Sequence, residues 1–265
     1  MIRQFFSLLL VAIFCSSLYS QVDTLRIHSD WQFRDGSARV WQDAIVPGTV
    51  QEDLLRLGQL PNPFYNTNED SLTWVEEKNW VYKTNFSVPL SQLSNENHKL
   101  VFHGLDTYAS VYLNGQMILS ANNMFRKWEV DVVNQLQEQN ELKIVFFSPV
   151  IVGQGYMKEL PYTLPADNDS GEIKVMPVVR KAAFHFGWDW GPRIVTIGIW
   201  RPLELLSWTE VRLADFHIED EIDFSEDNTA TVTARIKIEG TAEACLLYTS
   251  PSPRDATLSR MPSSA

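Results

Sequence analysis

Cysteine is nearly missing from this chain: there are two, Cys15 and Cys245. Cys15 falls in a leader-like segment, so a processed chain has no second thiol with which to form a disulfide. Thiolate metal clusters are excluded on the same ground, and the sequence calls for no metal and no cofactor. A body of about 220 residues buries enough apolar surface to hold its fold without such staples. Long apolar runs are missing too. A spanning helix needs about 20 consecutive apolar residues, and the longest run here, residues 5–14, ends in a small, polar stretch at 16–20. With Arg3 ahead of it, that is the pattern of a signal peptide over residues 1–20, removed near Ser17 or Ser20. The position before Cys15 holds Phe14, where a lipoprotein site needs a small residue. A soluble exported protein is expected, periplasmic or secreted, with no membrane association after removal of the leader.

Basic clusters are also lacking. Formal charge is −11, from 33 acidic and 22 basic residues, and no Lys/Arg run exceeds two. A polyanion would be repelled, so nucleic acid is excluded as a partner. Tryptophan, by contrast, is abundant: nine residues, which suit either a large core or flat faces for a sugar.

What the sequence does contain is alternation with period two, the mark of half-buried strands. Tyr82, Thr84, Phe86 and Val88 share one face and Lys83, Asn85 and Ser87 the other. Ala109, Val111 and Leu113 alternate up to Asn114-Gly115, the dipeptide that best accepts a tight I′ turn, and residues 117–119 resume the apolar pattern, which predicts a hairpin. Further strands are expected at Trp128, Val130 and Val132 and at Leu142, Ile144 and Phe146. One helix is predicted: Thr49 and Glu52 have capping-box spacing, Val50, Leu54 and Leu57 share a face, and Gly58 with Pro61 ends it. Many short strands with one helix predict an all-β fold, a two-sheet sandwich of jelly-roll type over residues 21–208.

A second unit is expected over residues 209–243. Ala230, Val232, Ala234, Ile236 and Ile238 alternate with polar neighbours after an acidic, turn-rich stretch at 219–228. A single amphipathic strand cannot bury its apolar face, so it implies partners that should follow in the chain. Instead the pattern stops near Ala244. From Cys245 to Ala265 the chain loses all alternation and becomes rich in Ser, Pro and Arg; Leu246 to Asp255 resembles translated adapter read-through, so residues 244–265 are expected to be a non-native tail, with an ordinary disordered tail as the alternative.

The densest group of candidate functional residues runs from Phe184 to Arg193, FHFGWDWGPR. A carboxylate between two indoles suits a sugar, since the rings can stack on the CH-rich face while Asp189 accepts hydrogen bonds from hydroxyls. The same residues suit a core and a Gly-Pro turn, and composition alone leaves both open. Arg180, Lys181 and His185 carry the same ambiguity between lining a site and sitting at a strand edge.

Three stretches, LGQLPNPFYNTNEDSLTWVEEKNWVYKTNFSVP (57–89), FHGLDTYASVYLNG (102–115) and FGWDWGPRIVTIGIWRP (186–202), closely resemble β-mannosidases of glycoside hydrolase family 2. The Trp-Asp-Trp-Gly-Pro segment discriminates, because the wider family shares the Leu-Asp-Thr and Leu-Asn-Gly pattern without it. The resemblance implies a galactose-binding-like jelly roll, followed by the start of an immunoglobulin-like sandwich, with the catalytic (β/α)8 barrel missing from this chain. It implies that the jelly roll reaches over the barrel's mouth and that Trp188, Asp189 and Trp190 contact the terminal mannose of a β-mannoside oligosaccharide. It also implies a retaining mechanism with two barrel carboxylates about 5–5.5 Å apart. The acid in such enzymes follows an asparagine. The three Asn-Glu pairs here, Asn68-Glu69, Asn95-Glu96 and Asn140-Glu141, fall in polar turn-like stretches, so no catalytic residue is assigned and the chain is expected to be inactive by itself. Two alternatives remain: a stand-alone carbohydrate-binding module, which would bind mannoside without the barrel, and a family 2 β-galactosidase or β-glucuronidase, which a substrate panel would distinguish. No sequence feature indicates the oligomeric state.

Overall fold

The computed structural model describes residues 22–223 and 229–240; the expected signal peptide and the tail lie outside them. Two units divide between Thr209 and Glu210. The first is a sandwich of two antiparallel sheets. Six strands line up as β3-β2-β4-β9-β6-β7, and four as β1-β10-β5-β8. In chain order these are β1 (Asp23–Arg26), β2 (Gln32–Asp35), β3 (Gln42–Asp43), β4 (Trp80–Ser87), β5 (Asn97–Phe102), β6 (Tyr108–Leu113), β7 (Gln116–Asn122), β8 (Trp128–Asp131), β9 (Gln139–Phe147) and β10 (Leu203–Trp208).

The alternating residues meet between the sheets. Phe33, Trp80, Tyr82, Leu142, Ile144 and Phe146 come from the larger sheet, Leu100, Phe102, Leu203 and Leu205 from the smaller, and all are buried. Tyr82 joins the core through an edge contact with Phe146, ring centroids 5.7 Å apart, and a stacked one with Phe33 at 5.7 Å. The predicted hairpin is present as β6 and β7. Asn114 and Gly115 both take positive φ, 51° and 81°, which turns the chain with the hand that twisted strands require. Beyond it Met117 is 55% exposed, as befits the outer strand of the sheet.

Helix α1 (Val50–Arg56) has the predicted capping box: Thr49 accepts from the Glu52 N–H and Glu52 accepts from the Thr49 N–H. Val50 and Leu54 are buried, whereas Leu57 has already left the helix and lies at the surface. Thr49→Ala should cost about 1 kcal/mol, visible as a lowered urea midpoint with unchanged slope; no change would show that the box is redundant. Besides the single-turn helices α2 (Thr73–Glu76) and α3 (Leu90–Leu93), there is an eleven-residue helix that the sequence did not suggest, α4 (Pro149–Glu159). Ser148 caps it, accepting from the Ile151 N–H at 3.0 Å, and Pro149 opens it. Two glycines, Gly153 and Gly155, hide it from propensity reasoning. Gly153 is there for packing: a Cβ would meet Val175 at 2.8 Å and Val179 at 2.9 Å.

The second unit is a long hairpin of β11 (Val211–Asp223) and β12 (Thr229–Gly240). The expected strand at 230–238 is therefore present, but the expected turn-rich character of 219–228 is corrected as far as Asp223. Glu219 and Asp220 pair in register with Thr233 and Val232, and the Arg235 guanidinium donates to Glu219 at 2.6 Å, which offsets the like charges on that strand. Phe216, Ile218, Val232 and Ile236 are all more than half exposed. The apolar face that the alternation marks out has no cover among the described residues.

Candidate functional site

Between α4 and β10 the chain runs through residues 160–202 with only two short 3-10 turns, Met176–Val178 and Ala183–Phe186. Connections of such length in a compact unit are uncommon and usually functional. The sandwich fixes this one at several points. Val50 and Gly48 donate their N–H groups to Ile197 and Ile199 at 2.8 and 2.9 Å, and the buried Gln51 amide donates to the Val195 carbonyl at 2.8 Å. A small second core of Val150, Val175, Val179, Phe186 and Val195 pins the segment beside α4.

Out of this anchored segment stands a tight turn. Trp188 and Gly191 exchange backbone hydrogen bonds at 3.2 and 3.3 Å, which leaves Asp189 and Trp190 at the tip. Trp188 is 40% and Trp190 71% exposed. The turn reading of this segment is correct, and the core reading fails for both indoles. Their ring centroids lie 6.4 Å apart, and Phe184 extends the cluster at 6.1 Å from Trp190. Aromatic rings displayed on a turn have given up part of their burial, and the Asp189 carboxylate between them has no hydrogen bond among the described residues; flat apolar faces beside an open acceptor are chemically suited to a polyhydroxylated ring.

The stem of the turn is built on Arg193. Its guanidinium donates to Glu76 Oε1 from Nε at 3.1 Å and from Nη2 at 2.8 Å, and from Nη1 both to Asp169 and to the Phe186 carbonyl, the latter at 3.1 Å. Residues 186 and 193 flank the turn, so this one cation closes its base. Asp169 in turn accepts from the Val175 and Met176 N–H groups at 2.7 and 3.0 Å. Burial pushes the Glu76 carboxyl up, with Arg193 opposing. Gly187, φ 99°, enters the turn where a Cβ would collide with the Ser170 hydroxyl at 2.6 Å; the conformation and the space both demand glycine.

A second buried network lies beneath His185. The Lys181 ammonium, whose side chain has no exposure, donates to Asp106 and to the Thr196 carbonyl and hydroxyl oxygens, both at 2.9 Å. Thr196 Oγ1 donates to Asp106 at 2.7 Å and lies 3.2 Å from His185 Nδ1. Burial pulls the Lys181 ammonium down, opposed by Asp106. Burial and then the Lys181 charge pull His185 down to about 4, against the favourable pull of Asp106. His185 is thus neutral in the folded chain and protonates near 6.5 in the unfolded one. Its stabilising effect is complete above pH 6.5 and fades as pH falls toward 4. Buried His98, also depressed by burial, acts in the same direction. The melting temperature should drop between pH 7.5 and 5.5, with a smaller drop in His185→Gln; equal drops in both chains would mean that His185 is not the group responsible.

Of the ambiguous residues, then, Lys181 and His185 belong to a buried network, while Arg180 is exposed. The three Asn-Glu pairs remain apart. Glu69 is on a 3-10 turn (Asn68–Leu72), Glu96 is exposed, and Asn140-Glu141 lies on β9 instead of in a turn, with Glu141 exposed and Asn140 buried. Among the described residues no group of His, Cys, Asp and Glu could hold a metal ion, and no helix is long and apolar enough to cross a membrane. Sequence reasoning missed Glu76, Asp106 and Asp169; a lone acid beside large apolar residues, as in Leu105-Asp106, was the available signal.

Comparison with known proteins agrees with this architecture. The family described as the glycosyl hydrolase 2 galactose-binding domain-like domain matches residues 31–201. Beta-mannosidase B of Emericella nidulans is 36% identical over 230 residues, 81% of this chain and 26% of that protein. The crystal structure of a beta-D-mannosidase from Dictyoglomus thermophilum superposes with a TM-score of 0.74 at 36% identity, covering 82% of this chain and 26% of that one. A beta-D-glucuronidase of the same organism, at 17% identity and a TM-score of 0.53, shares the fold alone. The chain spans about a quarter of the length of the curated relatives it matches, and among its described residues there is no (β/α)8 barrel. With its jelly-roll sheets, its long anchored segment and these matches, the chain belongs to the galactose-binding-like domain family of glycosyl hydrolase 2.

Proposed function

We propose that this chain is the sugar-gripping part of an exo-acting β-mannosidase, exported behind the signal peptide at 1–20, in which the turn of Trp188, Asp189 and Trp190 holds the terminal non-reducing β-mannose. The single observation that carries this is the exposed Trp-Asp-Trp tip on a buried, ion-paired stem. Exposing two indoles forfeits the burial each would contribute in a core, roughly 1.5–3 kcal/mol for a large apolar side chain, and a ligand face is the physical reason to do so. The similarity to beta-mannosidases of about 35% identity supports mannose over other sugars. Catalysis belongs to a barrel: one carboxylic acid protonates the leaving oxygen and a second carboxylate attacks the anomeric carbon. This chain would contribute binding and orientation alone and would be inactive by itself. Residues 209–243 would begin an immunoglobulin-like sandwich whose further strands cover the apolar face of β11 and β12, and residues 244–265 would not be native. No cofactor is needed.

The test is a panel of aryl β-mannoside, β-galactoside and β-glucuronide offered to the enzyme in which residues 22–240 continue into a barrel. Mannoside should be turned over with a kcat/KM at least about 100-fold above the others, the discrimination expected when a carboxylate built for particular hydroxyls is left unpaired by the wrong sugar. Preference for galactoside or glucuronide would overturn the assignment.

A further inference from the structure

Next to the turn lies a cavity of about 450 Å3, lined among others by Phe125, Phe184, Trp200, His185, Thr196 and Glu52. Its size falls within the range of small-molecule sites, about 300–1,000 Å3. Phe125 and Phe184 are 59% and 49% exposed, and Phe184 touches both this cavity and Trp190, so the aromatic surface continues from the turn into the cavity wall. Trp200 is held in place by its indole N–H, which donates to the Met124 carbonyl at 3.1 Å, and by Gly104, where a Cβ would meet the ring at 2.5 Å.

The polar floor of the cavity fixes the state of His185. A threonine hydroxyl has one proton, and Thr196 donates it to Asp106 at 2.7 Å. Toward both other neighbours Thr196 Oγ1 must therefore accept: from the Lys181 ammonium at 2.9 Å, and from His185 Nδ1 at 3.2 Å. That places the imidazole proton on Nδ1 and the lone pair on Nε2. With the ring neutral at ordinary pH, Nε2 is a pure acceptor, and it has no protein partner among the described residues. An acceptor of fixed tautomer between aromatic walls matches a ring that offers hydroxyl donors at its edge and C–H groups on its face.

We infer that this cavity is a second sugar-ring site, which takes the residue next to the one on the Trp188–Trp190 turn, with Phe125, Phe184 and Trp200 as its walls and His185 Nε2 as acceptor for one of its hydroxyls. The inference rests on the reading of the turn as a sugar site. It adds a specificity-determining residue from outside the Trp-Asp-Trp segment.

The experiment uses the 15N-labelled 265-residue chain, with imidazole nitrogens observed by long-range 15N–1H correlation during titration with methyl β-D-mannopyranoside and with β-1,4-mannobiose. In the free chain His185 Nε2 should resonate as the unprotonated nitrogen. On addition of the disaccharide, but not of the methyl glycoside, it should shift toward the protonated position. The disaccharide should bind about fivefold more tightly, the factor one net hydrogen bond supplies, and His185→Phe and Phe125→Ala should each abolish that advantage while methyl glycoside binding persists. A proton on Nε2, or a disaccharide that binds no tighter than the methyl glycoside while Trp190→Ala abolishes methyl glycoside binding, overturns the cavity and leaves the turn standing. Binding of neither sugar up to the limit of its solubility, where a rim without its barrel should still bind weakly, sinks the reading of the turn, and the second site with it.

Discussion

Arg193→Met should destabilise the sandwich by about 3–5 kcal/mol, the usual effect of removing one partner from a buried ion pair. Two carboxylates are left behind: Asp169, with no side-chain exposure, and Glu76, with 9%. Asp169 could not reach water without moving the chain around it, whereas Glu76 borders a polar cleft with Glu69, Thr73 and Arg193. Asp169 would keep its bonds from the Val175 and Met176 N–H groups, so the damage should centre on Glu76 and on the Phe186 carbonyl, which would lose its bond from the guanidinium and keep that from the Ser170 N–H at 3.1 Å. For a unit of this size the loss corresponds to a fall in melting temperature of roughly 6–20 °C. Because residues 186 and 193 flank the tryptophan turn, sugar binding should weaken even at temperatures where the variant stays folded. Thermal denaturation and tryptophan fluorescence separate the two effects. A variant with unchanged stability would mean that the guanidinium is no anchor.

Asp106→Ala should be as severe, for the mirror-image reason. Among the described residues it leaves the fully enclosed Lys181 ammonium with the Thr196 oxygens as its hydrogen-bond acceptors and Glu76 as a more distant opposite charge, and an undercompensated buried charge costs several kcal/mol. The loss should again be about 3–5 kcal/mol in urea denaturation. The double variant Asp106→Ala with Lys181→Met should recover much of it, because exchanging a whole buried pair for apolar groups is often neutral or favourable. If the double variant were as unstable as the sum of its parts, Asp106 would stabilise through the bonds its carboxylate accepts from the Thr107 and Thr196 hydroxyls, not through the ammonium. His185 should report on the same change, since the Thr196 hydroxyl would be free to reorient and the tautomer would no longer be fixed.

These two networks mark the boundary of what the sequence discloses. Strand positions are legible because alternation is a local property: Tyr82 and Thr84 point inward for the same reason that Lys83 and Asn85 do not, and Asn114-Gly115 specifies its own turn. Helix α1 is legible because its capping box occupies four residues. Helix α4 is not, since Gly153 answers to Val175 and Val179 across the structure, and helix propensity counts it as a defect. The acidic character of 219–223 masked a strand that pairs in register with β12 and whose Glu219 is answered there by Arg235. Trp188, Asp189 and Trp190 stand out as a group, but their display on a turn, as opposed to burial, follows from Arg193. Its partners Glu76 and Asp169 are 117 and 24 residues away, and no local pattern connects them.

If Asp189 at the tip of the turn holds the mannose, Asp189→Ala in the complete enzyme should show it in kcat/KM on an aryl β-mannoside. Asp189 is exposed, so the melting temperature should not move, while loss of hydrogen bonds to a charged acceptor, worth about 1.5–3 kcal/mol, should lower kcat/KM by roughly 10- to 150-fold. Wild-type kinetics in a folded variant would mean that Asp189 does not hold the sugar and would leave the exposed indoles without a ligand.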